Sequence, residues 1–196
     1  MSGSTAVSKI HPLHRVRVLI TNDRPWVTRL LVDALQSTER YCARGSNPSL
    51  PDVVQELDNI RPKILLIGMD VDGNSQIVKQ LMRVPRRDAQ MIVLLTKVTG
   101  ELVLEAISAG AKGIVSADDG LATLVECLDA VANNQLYLRS EHFVTMTESL
   151  CSAQQFVTRR ELSTFKGVVD TLAQNNPASL HSQSYDALGI AADRVH

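Results

Sequence analysis

The stretch KILLIGMDVDG, Lys63 to Gly73, places two carboxylates, Asp70 and Asp72, just past an apolar run and a glycine. A second acidic group, Asp23, follows Asn22 at the end of another apolar run, VRVLIT. The question they raise is whether this strand edge carries a working carboxylate. Asp23 and Asn22 also suit a simpler task, capping a helix or shaping the turn before Pro25. The remaining chemistry is sparse. No Ser/His/Asp, metal-ligand or phosphate-loop constellation is present, which argues against an enzyme and against a resident metal or cofactor. Cys42, Cys127 and Cys151 are scattered without C-x-x-C spacing, so they indicate neither a zinc site nor a disulfide framework, and they fit a reducing, cytoplasmic compartment.

The elements that must position these residues read as an alternation. VRVLI, YCARGS, KILLIG, QMIVLLT and GIVSA are five strands. Between and after them, WVTRLLVDAL, PDVVQELDNI, NSQIVKQLMRV, GELVLEAISAG and DDGLATLVECLDAVANN have helical patterns. KILLIG is apolar throughout, as a central strand covered on both faces should be. Right-handed crossovers then give an α/β fold, a doubly wound five-stranded parallel sheet, with ligand sites at the carboxyl ends of the strands. Trp26 falls on the apolar side of the first helix and reads as a half-buried packing residue, with a ligand role kept open by its place beside Asp23.

After Leu138 the alternation ends. The expected organisation is a leader over 1–15, an α/β domain over 16–138, a polar and partly helical connector over 139–156, and a small all-α segment over 157–196. That last segment carries Leu162, Phe165, Val168, Val169 and Leu172 at helical spacing. The chain of 196 residues is 44% hydrophobic, ample for a core, and only 4% aromatic, which disfavours broad stacking surfaces. A formal net charge of -1 gives no general attraction to nucleic acid or anionic lipid. No signal peptide and no apolar run long enough for a membrane span are evident.

VRVLITNDRPWVTRLLVDAL and LLTKVTGELVLEAISAGAKGIVSADD together resemble the receiver domains of two-component response regulators, in particular the NarL/FixJ class. The likeness covers roughly Val16 to Leu138 and rests on the order and spacing of several motifs. It implies an acidic pair at Asn22 and Asp23, a phosphoryl acceptor position at Gly68, a hydroxyl at Thr96 and a lysine position at Ala117. Glycine offers no nucleophile and alanine no cation, so the resemblance implies a vestigial phosphorylation pocket, with Asp70 and Asp72 as candidate substitute acidic residues.

VTRREL and YDALGIAADRVH are similar to the entry and the recognition segment of a LuxR-type helix-turn-helix. That likeness implies DNA contacts from Arg159, Arg160, Ala192 and Arg194, with Ala191 and Asp193 beside them. The two segments stand farther apart than in that family, and a recognition helix would have barely begun at His196; whether the chain continues is left open. The expected function is an atypical, phosphorylation-independent response regulator in transcriptional control. Its expected partners are a second copy or another regulator, DNA if the helix-turn-helix is completed, and a small molecule or protein at the vestigial pocket. The alternative is a receiver-shaped adaptor that binds protein and not DNA.

Overall fold

A computed structural model of the chain describes residues 15–69, 80–81 and 89–152. Five strands of six residues each, β1 (Val16–Thr21), β2 (Tyr41–Ser46), β3 (Ile64–Met69), β4 (Gln90–Leu95) and β5 (Ala111–Ser116), form one parallel sheet in the order β2-β1-β3-β4-β5. The described helices are α1 (Pro25–Ser37), α2 (Leu50–Ile60), α3 (Gly100–Ser108), α4 (Gly120–Ala132) and α5 (Ser140–Ser152), with a 3₁₀ turn over Ala117–Asp119. Of the helix expected in NSQIVKQLMRV, Gln80 and Leu81 are described and helical. The rest of that stretch, Asp70 and Asp72, the leader up to residue 14 and everything beyond Ser152 lie outside the described residues.

The central strands β3 and β4 are apolar at successive positions, and helices cover the sheet on both faces. Leu65, Ile67 and Met69 of β3 face one core with Leu19, Val93 and Leu95; Ile64 and Leu66 face the other with Val18, Ile20 and Ile92. Helices α2, α3 and α5 close the first core, and α1 and α4 close the second. All six residues of β3 are buried, as the unbroken run KILLIG requires of a central strand. Ser49 caps α2 by accepting from the Asp52 amide, with Pro51 in the first turn, and Thr99 caps α3 by accepting from the Leu102 amide.

One expectation changes in three dimensions. Trp26 is 64% exposed and Leu30 60%, so neither packs. The buried ridge of α1 runs through Thr28 and Leu35, with Leu31 and Val32 beside them, and at 3.6 residues per turn positions 26 and 30 lie opposite it. The stretch after Leu138, expected to be polar and partly helical, does contain a helix. Ser140–Ser152 is one helix that buries Phe143, Met146 and Leu150 in the first core, against α3. Its three anchors are spaced three and four apart, a stripe diluted in the sequence by Thr145, Thr147, Glu148 and Ser149.

Contact between α3 and α5 is close enough to exclude a side chain. A Cβ at Gly100 would fall 2.0 Å from Ser149 Oγ and 2.4 Å from the Thr145 carbonyl oxygen. Glycine at the first turn of α3 is what lets the two helix backbones approach.

Candidate functional site

In this strand order the direction of winding reverses between β1 and β3, and there the crevice at the carboxyl edge opens. Thr21 pairs with Ile67, which sets Asn22 alongside Gly68. Asn22 is 7% exposed, and its side chain takes the room a residue at position 68 would need. A Cβ built on Gly68 would lie 1.8 Å from Asn22 Nδ2, 2.7 Å from its Cγ and 3.2 Å from its Cβ. The amide is held there, since Asn22 Oδ1 accepts a hydrogen bond from the Arg24 amide at 2.8 Å. That bond is the local turn that Asn makes with the backbone two residues on, and it launches α1 at Pro25. The N-cap of α1 is Arg24, with no side-chain cap bond.

The other residues singled out from the sequence sit around the same edge. Thr96 follows β4, half-buried, and its amide donates to the Met69 carbonyl at 3.2 Å. Asp23 is exposed, and exposed Ala117 opens the 3₁₀ turn after β5. Asn22, Gly68, Thr96 and Ala117 thus lie at the carboxyl ends of β1, β3, β4 and β5, four strands adjacent in the sheet. Among the described residues no His/Cys/Asp/Glu group that could hold a metal ion includes Asp23. Asp70, Asp72, Arg159, Arg160, Ala192 and Arg194 lie outside the described residues.

Two further features have no counterpart in the motif reading. A groove of about 590 Å³ runs from Asn22 along α1, the end of β2 and α2. Arg29 is set in it against Asp33, Asp52 and Glu56, so the lining has an acidic excess. The buried Thr28 Oγ1 has no hydrogen-bond partner. Gly45 of β2 admits α1 closely: a Cβ there would meet Thr28 Cγ2 at 2.7 Å.

The second feature is a charged cluster joining the turn after β5 to the start of α5. Asp119 Oδ2 accepts from the Ser116 amide at 2.8 Å, completing a capping box. Asp119 Oδ1 accepts from Arg139 Nη1, and Arg139 Nε pairs with Glu141 Oε1 at 2.9 Å. His142 beside them is 3% exposed, and its Nδ1 is buried without a hydrogen-bond partner. Burial pushes the His142 imidazole below its usual pKa, and the Arg139 charge adds to this, against the opposing pull of Asp119 and Glu141. In sequence the cluster is spread over RSEH and ADD, with Asp119 and Arg139 20 residues apart, and reads as ordinary surface polarity; only the docking of α5 brings the two together.

No family model matches the chain. It is 26% identical over 127 residues, 64% of its length, to the transcriptional regulatory protein YdfI of Bacillus subtilis, and spans 59% of that relative's length. Among solved structures it is similar to the RcsB response regulator of Salmonella typhimurium, studied for its DNA interaction, with a TM-score of 0.58 and 14% identity over 91% of this chain and 94% of that one. It is likewise similar to the receiver domain of a NarL response regulator of Mycobacterium tuberculosis, with a TM-score of 0.53 and 18% identity over 62% of this chain and 98% of that one. At these identities the structural likeness establishes the fold, the five-stranded receiver architecture expected from the sequence.

Proposed function

We propose that this chain is a response regulator acting in transcriptional control without phosphoryl transfer to position 68, and that it works as a dimer. One observation carries the reading: at the position the family resemblance aligns with the phosphoryl acceptor, Gly68 has no nucleophile and the Asn22 side chain fills the adjoining space. Ala117, aligned with the family's lysine, brings no cation to balance the charge of a transferring phosphoryl group. The similarity to YdfI and to RcsB supports the regulatory role. In this reading residues 16–138 are the receiver unit, and the stretch from 157 carries the DNA contacts through Arg159, Arg160, Ala192 and Arg194.

A receiver that is not switched by phosphate is set by whatever favours one of its states. A second copy or another regulator is the first candidate, seated on the exposed side of α4 at Leu121, with Trp26 and Leu30 of α1 as further exposed apolar side chains. A small molecule or protein at the edge lined by Asn22 is the second.

The test combines two measurements on the full chain. Incubation with acetyl phosphate and Mg²⁺ leaves the intact mass unchanged, and a low-salt gel-shift titration gives a DNA complex whose affinity falls with salt. A covalent phosphoryl adduct overturns the first part. Absence of any DNA complex favours the second reading, a receiver-shaped adaptor. One observation supports that alternative: from residue 157 on, Arg159, Arg160, Lys166 and Arg194 are matched by Glu161, Asp170, Asp186 and Asp193.

A further inference from the structure

We infer that Asp119, Glu141 and His142 form a binding site for a divalent transition-metal ion of the zinc class, one that ties the turn after β5 to the first turn of α5. Each residue offers one ligand atom, and the three atoms lie within 4.8 Å of one another. Two ligands on one tetrahedral zinc stand ~3.3 Å apart, so small side-chain rotations complete the geometry. Two carboxylates and an imidazole make a mixed oxygen and nitrogen set, which suits Zn²⁺, Co²⁺ or Ni²⁺ better than the all-oxygen shells of Mg²⁺ and Ca²⁺. Three protein ligands leave a fourth position for water.

A second, independent observation points to a ligand at the same place. His142 is buried with its Nδ1 unpartnered, and buried polar groups nearly always have a partner. Asp119 is already oriented, because its Oδ2 accepts from the Ser116 amide and leaves Oδ1 directed at the cluster.

Arg139 is the competing cation. Its guanidinium bridges Asp119 and Glu141 in the metal-free arrangement, neutralising two acids that would otherwise repel. The Arg139 side chain is 37% exposed, so it can turn out to solvent when an ion takes over the counter-charge. The site therefore exchanges one cation for another, and metal binding fixes α5 on the sheet edge. This inference rests on the cluster's geometry and holds whichever way the DNA and phosphorylation tests fall.

The experiment titrates the chelator-treated full chain with Zn²⁺ by calorimetry and with Co²⁺ by visible absorption, in parallel on Glu141→Gln, His142→Gln and Arg139→Gln. One saturable site is expected, with a Co²⁺ spectrum of nitrogen and oxygen coordination free of thiolate charge transfer. Affinity falls roughly tenfold or more in Glu141→Gln and further in His142→Gln. Arg139→Gln distinguishes a metal site from a purely structural ion-pair cluster: its metal-free form melts lower, and it binds the ion more tightly than the parent chain. Glu141 is exposed, so its variant folds even where His142→Gln does not. Equal affinity in the parent and Glu141→Gln, or an Arg139→Gln variant that binds no more tightly, overturns the assignment.

Discussion

The smallest side chain that tests the crowding at the sheet edge is a single methyl, Gly68→Ala. Its Cβ would lie 1.8 Å from Asn22 Nδ2 and 2.7 Å from Cγ, inside any tolerable contact, so the Asn22 amide must leave its place. Doing so breaks the hydrogen bond from the Arg24 amide to Oδ1, which contributes about 1 kcal/mol. Forcing atoms into a packed site costs a further ~1–3 kcal/mol. Alanine is the better strand residue by roughly 0.5–1 kcal/mol, a partial offset. The net loss expected is about 1–3 kcal/mol, a drop of roughly 3–10 °C in Tm for a chain of this length.

Asn22→Ala alone costs about 1 kcal/mol through the same lost bond, but it vacates the space, so the double variant should be nearly as stable as Asn22→Ala. Urea denaturation of the four proteins measures this as a favourable coupling of ~1–3 kcal/mol between the two positions. Additive effects, or a Gly68→Ala variant within ~0.5 kcal/mol of the parent, would refute the claim that Asn22 fills the space beside position 68.

Three other outcomes follow from the same coordinates. Gly100→Ala should destabilise by about 1–3 kcal/mol and raise hydrogen exchange in α5, because the methyl collides with Ser149 and the Thr145 carbonyl; unchanged exchange there would mean α5 is not docked on α3. Trp26→Ser should change stability by less than ~0.5 kcal/mol, and the parent's tryptophan emission should be that of a water-exposed indole; a blue-shifted spectrum at dilution where the chain is monomeric contradicts the exposure. Tyr41 donates to Asp129 Oδ1 at 2.5 Å, and burial, then that hydrogen bond and the Asp129 charge, push its phenol above the usual pKa of 10.0. A folded-state pKa raised above the unfolded value contributes stability present below about pH 10 and lost as pH rises beyond it. Tyr41→Phe should therefore be less stable than the parent by about 1 kcal/mol at pH 8, a gap that narrows above pH 10; a gap independent of pH defeats the reasoning.

Much of the receiver-like architecture was legible from local rules. A strand buried on both faces has to be apolar at every position, and KILLIG and QMIVLL announce that directly. The start of α2 was readable from Pro51 at the head of PDVVQELDNI, and the stop after α3 from Gly110 at the end of GELVLEAISAG, which takes the left-handed φ of 83°. The place of Trp26 among the apolar residues of α1 misled, since α1 contains more apolar residues than its one packed stripe can hold, and periodicity does not say which subset faces the sheet. That the helix over Ser140–Ser152 docks was hidden for the opposite reason: Phe143, Met146 and Leu150 are too few to stand out among polar neighbours until α3 offers a surface to receive them.

The amino-acid order on its own determined the parallel sheet and put a glycine at 68 and an alanine at 117, because strand burial and side-chain chemistry are properties of residues and their immediate neighbours. Only the tertiary structure decided that Asn22 occupies the space beside Gly68, and that Asp119, Arg139, Glu141 and His142 converge. Those are contacts between residues far apart in the chain, set by strand register and helix docking, and nothing local encodes them.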